Sequence, residues 1–137
     1  MKSLIGVAAL AVVAMMFAVP ASAQSKKNGE KVYMEYCATC HQKDGKGLAK
    51  VYPPLAKSDY ISKQSKETLI REVVFGKSGE VTVNGKKYNG VMAPLPSKYT
   101  EKDISDVMTY VFNMFGNSKG KVSVDDVKAA KKKGKIK

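Results

Sequence analysis

Cys37-Ala38-Thr39-Cys40-His41 holds both cysteines and the single histidine of this 137-residue chain. C-x-x-C-H is the attachment signature of a c-type haem. The spacing has a chemical reason. Two thiols about one helical turn apart can add to two vinyl groups along one edge of a porphyrin. The next residue then lies under the ring, where its imidazole can bind iron. Other readings of the same residues explain less. A structural zinc site takes four protein ligands, and no further Cys or His exists to complete a set. A thioredoxin-like pair follows a strand, whereas a helical stretch leads in here. A disulfide between Cys37 and Cys40 would close a very short loop and leave His41 unexplained.

Upstream of the motif the chain changes character. Lys2 is a short positive region, Leu4 to Val19 is almost unbroken apolar sequence, and Ala21-Ser22-Ala23 is a small-residue cleavage site. Residues 1–23 therefore read as a secretory signal peptide, cut before Gln24. The alternative is a retained membrane anchor, but the run is short for a span. The expected protein is periplasmic, with no stable membrane insertion after cleavage. What remains is one small domain without tryptophan. Its core is thin for its size, and a buried haem would supply the missing apolar filling. The formal charge is +12, of which cleavage removes only Lys2. That balance favours acidic partner surfaces. Nucleic acid is not an expected partner for an exported haem protein.

Apolar periodicity predicts three main helices. Ser25 to Tyr36 delivers the motif, with Val32, Tyr33 and Tyr36 on one face. Gly29 interrupts it, either for close packing of another helix or because the end frays. Ser65 to Phe75 has an N-cap serine, a stripe of Leu69, Ile70, Val73 and Val74, and Gly76 as its stop. Thr100 to Phe115 opens on a Thr100/Asp103 capping pair and carries Ile104, Val107, Met108, Val111 and Phe112. Between the second and third, Glu80 to Tyr88 alternates around Asn84-Gly85 and predicts a small surface hairpin. The domain is expected over residues 24–117. Residues 118–137 read as a basic C-terminal tail in which Ser123 to Asp126 could cap a short helix over Val127 to Lys133; Lys131 to Lys137 reads as a mobile basic end, and a solvated tail is favoured over a docking element.

Two further stretches bear on iron. Tyr52-Pro53-Pro54-Leu55 is an extended segment with few donors and free carbonyls. A ligating histidine needs such an acceptor for its other ring nitrogen, although a plain rigid loop explains the local sequence equally well. Asn89 to Pro96 reads as a loop containing Met92. Haem iron in electron carriers often takes a methionine opposite the histidine. Met34 lies too close to Cys37 to reach the opposite face, and Met108 and Met114 fall in a helix where packing is their default role. Met92 is the expected axial ligand.

Taken together, the chain from Ser25 to about Gly116 resembles a class I (monohaem) cytochrome c of the bacterial periplasmic type. The resemblance implies a mostly α fold, with three main helices around one covalent haem c and here a small β-hairpin. It implies covalent attachment through Cys37 and Cys40 outside the cytoplasm, with His41 and Met92 as axial ligands. It also implies that the Pro53 carbonyl holds His41, that Leu55 touches the haem, and that Gly29 and Tyr33 pack on Val107 and Tyr110. The activity implied is one-electron transfer to redox partner proteins, with no catalytic residue of the chain's own. Two alternatives stand beside a free carrier. One is a cytochrome subunit of a larger periplasmic oxidoreductase, such as a dehydrogenase or nitrite reductase. The other is a five-coordinate haem enzyme or gas sensor, against which Met92 argues.

Overall fold

A computed structural model describes residues 19–137. Most of the expected signal peptide lies outside the described residues. The first helix, α1 (Ala21–Val32), runs into one π-helical turn, Tyr33–Cys37, and a short α2 (Ala38–His41) that carries the second half of the motif. Then come α3 (Asp59–Lys63), α4 (Lys66–Phe75), the strands β1 (Lys77–Val83) and β2 (Lys86–Met92), α5 (Glu101–Asn113) and α6 (Val124–Lys133). The fold is the expected one: mostly helical, with a two-stranded antiparallel sheet.

The crossing of α1 on α5 anchors it. A Cβ at Gly29 would run into the main-chain carbonyl of Asp106 and come within 2.9 Å of the Tyr110 Cβ. Glycine is needed because the backbones touch, not because the helix frays. The expected partner Tyr110 is there, but the backbone at Asp106 takes the place foreseen for the Val107 side chain. Tyr33 stacks at 5.6 Å from Tyr110 and 5.1 Å from Phe115, ring centre to ring centre. Asp106 is buried beside this crossing, and its carboxylate accepts from Asn28 Nδ2 at 2.9 Å and Lys102 Nζ at 2.6 Å. Burial is tolerable because the charge is paired and hydrogen-bonded.

Caps set the other boundaries. Ser65 Oγ accepts from the Thr68 amide. Thr100 and Asp103 form the reciprocal box expected of them. Asn84 and Gly85 both have positive φ, at 50° and 74°, as the tight hairpin turn requires.

Three expectations need correction. The hairpin is longer than Glu80 to Tyr88, because pairing runs from Val83↔Lys86 out to Lys77↔Met92. Met92 therefore ends a strand and does not lie in a loop. Main-chain pairing needs no side-chain alternation, so Gly79 and Gly90 sit opposite each other within the ladder. Second, α3 was not foreseen; it is a single turn capped by Ser58, whose Oγ accepts from the Ile61 amide at 3.2 Å. Third, the chain beyond residue 117 is not a solvated tail. Val122, Val127 and Ala130 are fully buried. Ser123 and Asp126 cap α6 reciprocally, and Arg71 Nε donates to the Gly134 carbonyl at 2.7 Å. The lysines that made this segment look mobile face outward from a helix packed on the α4 and α5 side of the core.

Candidate cofactor site

A cavity of about 430 Å³ opens between the motif, the Tyr52–Leu55 segment, α4, α5 and the hairpin. Every site residue expected from sequence lines it: Cys37, Cys40, His41, Pro53, Leu55 and Met92. Met108 lines it too, from within α5 and fully packed, whereas Met34 and Met114 are outside and exposed.

The His41 side of the cavity is held by main-chain contacts. His41 Nδ1–H donates to the Pro53 carbonyl at 2.9 Å. A carbonyl can only accept, so the proton sits on Nδ1 and the Nε2 lone pair is free. Burial pushes the imidazole below its ordinary pKa, which keeps it neutral and able to ligate. Two glycines make this approach possible. Gly47, at φ 65°, packs so closely on the Tyr52 and Pro53 carbonyls that a Cβ would not fit. Gly45 accepts from the Leu55 and Ala56 amides at 2.7 and 2.9 Å. Cys37 and Cys40 are not joined in a disulfide, and burial pushes the Cys37 thiol up to about 11.

The Met92 side is held at the two ends of the hairpin. At the base, Gly76 (φ 75°) lies against the Met92 carbonyl, 2.7 Å from where a Cβ would stand. The Leu95 amide donates to the Val73 carbonyl at 2.9 Å, and the Tyr36 hydroxyl donates to the Pro94 carbonyl at 3.0 Å. At the tip, the Asn84 amide donates to Asp59 Oδ1 at 2.6 Å and the Asp59 amide to Asn84 Oδ1 at 2.9 Å.

These residues suit a haem c. Two cysteine sulfurs and an imidazole with an open Nε2 come from one short segment, a thioether from another element, and the lining is largely aliphatic and aromatic. Sequence reasoning missed Tyr36, Tyr60, Glu72 and Lys77 as cavity residues. Glu72 and Lys77 carry no signal of it, because an isolated charge in an amphipathic helix or strand reads as solvent-facing.

Such an arrangement defines a haem c protein, and comparison with known sequences says of which kind. The Cytochrome c family profile matches residues 26–115. A cytochrome c-552 of Thermus thermophilus is 34% identical over 95 residues, which cover 67% of this chain and 71% of that one. A second cytochrome c-552 of the same species is 33% identical over 100 residues, covering 71% of this chain and 66% of the relative. The fructose dehydrogenase cytochrome subunit of Gluconobacter japonicus is 32% identical over 111 residues, but this chain spans only 23% of it. The chain belongs to the cytochrome c family, as a class I monohaem member carrying covalently bound haem c. Electron transfer is the activity of that family.

Proposed function

We propose that this chain is a periplasmic one-electron carrier whose single haem c is bound through Cys37 and Cys40, with His41 and Met92 as axial ligands. Bound haem c supplies a one-electron iron couple. The residues do the rest. Pro53 fixes the ring plane and tautomer of His41, and the strand end holds the Met92 thioether across the cavity. Pro53 and Leu55 wall the pocket and limit water. With both axial positions filled there is no open site for substrate, so the role is carriage and not catalysis. The observation that carries this reading is the joint lining of one cavity by both thiols, the free Nε2 of His41 and Met92.

The proposal extends to processing and partners. Cleavage before Gln24 would fall within the first turn of α1, leaving a domain that runs from there through α6. Among the described residues no helix is long and apolar enough to cross a membrane. Val51 and Val91, both more than half exposed, lie at the cavity rim. With the excess of lysine, they suit a small docking face for acidic redox proteins, steered by charge. The second reading, a cytochrome subunit of a dehydrogenase, is favoured by the similarity to the fructose dehydrogenase subunit. Co-purification of a dehydrogenase from the native source would select it.

The test is spectroscopic. Denatured mature protein should retain one haem by mass and show no free thiol. The ferrous native protein should not bind carbon monoxide, and its electron exchange with an acidic partner should slow as salt rises. Rapid carbon monoxide binding would overturn the six-coordinate reading in favour of an enzyme or sensor.

A further inference from the structure

Among the described residues, the Asp, Glu, Lys and Arg side chains lining the cavity are two, Glu72 from α4 and Lys77 from β1. They meet at 2.8 Å, Lys77 Nζ to Glu72 Oε1. The Tyr60 hydroxyl donates to the same oxygen at 2.6 Å, and the ammonium stands 5.6 Å from the centre of the Tyr60 ring. Tyr60 also lines the cavity. The two charges are not equally exposed. The Glu72 side chain is 7% exposed and the Lys77 side chain 31%. Placing a carboxylate in an apolar wall is costly. Neighbouring cavity positions on α4 are filled by the apolar Leu69 and Val73.

We propose that Glu72, positioned by Tyr60 and Lys77, sets the reduction potential of the haem. This rests on the reading of the cavity as the haem site of a one-electron carrier. The physical argument is one of sign. Oxidised haem carries one more positive charge than reduced haem. A carboxylate facing it stabilises the oxidised form more and lowers the potential, whereas an ammonium raises it. Lys77 is the more exposed of the pair, so water screens its field more. On this argument the net field at the cavity takes the sign of Glu72. Tyr60 contributes no charge; its hydroxyl donates to Glu72 Oε1.

The experiment is a spectroelectrochemical titration of the holoprotein at neutral pH and low salt. Glu72→Gln keeps an oxygen for both donors and removes the charge. It should shift the reduction equilibrium about tenfold toward the reduced form, a rise of about 59 mV for one electron. Lys77→Gln should lower the potential by a smaller amount. Tyr60→Phe should leave it within about threefold on the same scale. The far-red sulfur-to-iron band must persist in each, because Lys77 pairs across the sheet with Met92. A potential in Glu72→Gln that is unmoved or lower overturns the proposal. So does an equal shift in Tyr60→Phe, or a shift accompanied by loss of the band. If Glu72→Gln does not accumulate, Lys77→Gln decides, and an unmoved or raised potential is fatal. A wild-type protein without a one-electron couple would defeat the underlying carrier reading, which is a different failure.

Discussion

The wall around His41 and the wall around Met92 are fastened by different means. The first is continuous with the α1–α5 crossing and is locked by main-chain contacts at Gly45, Gly47 and Pro53. The second is a two-stranded hairpin, which alone would be marginal in water. It is fixed at its base by Gly76, Val73 and Tyr36 and at its tip by Asp59. Damage to the first wall should therefore be global. Damage to the second should loosen one ligand and leave the helices standing. Chemistry has a matching asymmetry, because the proposed thioether links and His41 share one short segment, while Met92, as the proposed sixth ligand, would be a single weak contact from a separate element.

The largest effect expected is at the crossing. Gly29→Val drives side-chain atoms into the Asp106 carbonyl and the Tyr110 Cβ. The helices must separate, at about 3 kcal/mol, the upper end for overpacking. Denaturant unfolding should show helix signal and haem-pocket signal lost together, at a much lower midpoint. If the midpoint stays put, the crossing is not what holds the His41 wall.

Met92→Ala comes next and should be local. The oxidised protein should lose its far-red band and its potential should fall, because methionine opposite histidine raises it. The helical circular dichroism should keep most of its thermal stability. Retention of band and potential, with their loss in Met108→Ala instead, would reassign the ligand to α5.

The same contrast explains what could be read from sequence. The motif, the three long helices, the caps of the second and third and the Asn84-Gly85 turn all announce themselves through local chemistry: spacing, periodicity, capping side chains and positive φ. Met92 was singled out by elimination, yet its place at a strand end was not visible, because Lys77↔Met92 pairing is main-chain bonding between residues with no alternating pattern. The last helix and its Ser123–Asp126 cap are legible, but its docking on the core is not, for a related reason. Five lysines between Lys128 and Lys135 hide the three small buried residues, Val122, Val127 and Ala130, that dock it. Glu72 and Lys77 could not be found at all, since what makes them unusual is the cavity they face.

Gly76→Ala sharpens the comparison at the hairpin base. A backbone at φ 75° and ψ 170°, a region kept almost entirely to glycine, costs an L-residue about 1–3 kcal/mol, and the new Cβ presses on the Met92 carbonyl. The far-red band should disappear at a lower temperature than in the wild type, with helix melting shifted less. Equal shifts of both signals would mean that hairpin and helices unfold as one unit.

The smallest effect should come from the tip, and it should depend on pH. Asp59 is held below the usual carboxylate range, first by the Asn84 amide and then by the Lys63 ammonium at 2.8 Å. A depressed folded pKa means that the unfolded chain binds the proton more readily. The carboxylate thus stabilises the hairpin at pH above its unfolded value of about 3.9, and that contribution fades as pH falls through the folded value. Asp59→Asn keeps an oxygen for the Asn84 amide and removes the charge. The temperature at which the far-red band is lost should therefore be lower in Asp59→Asn than in the wild type at neutral pH. The gap should close as acid protonates Asp59 in the wild type, since the two side chains then differ little. The other carboxylates are common to both proteins and cancel in the comparison. A gap that stays constant from neutral to acid pH would mean that charge does not hold the tip, and that the hairpin is secured there by hydrogen bonding and packing alone.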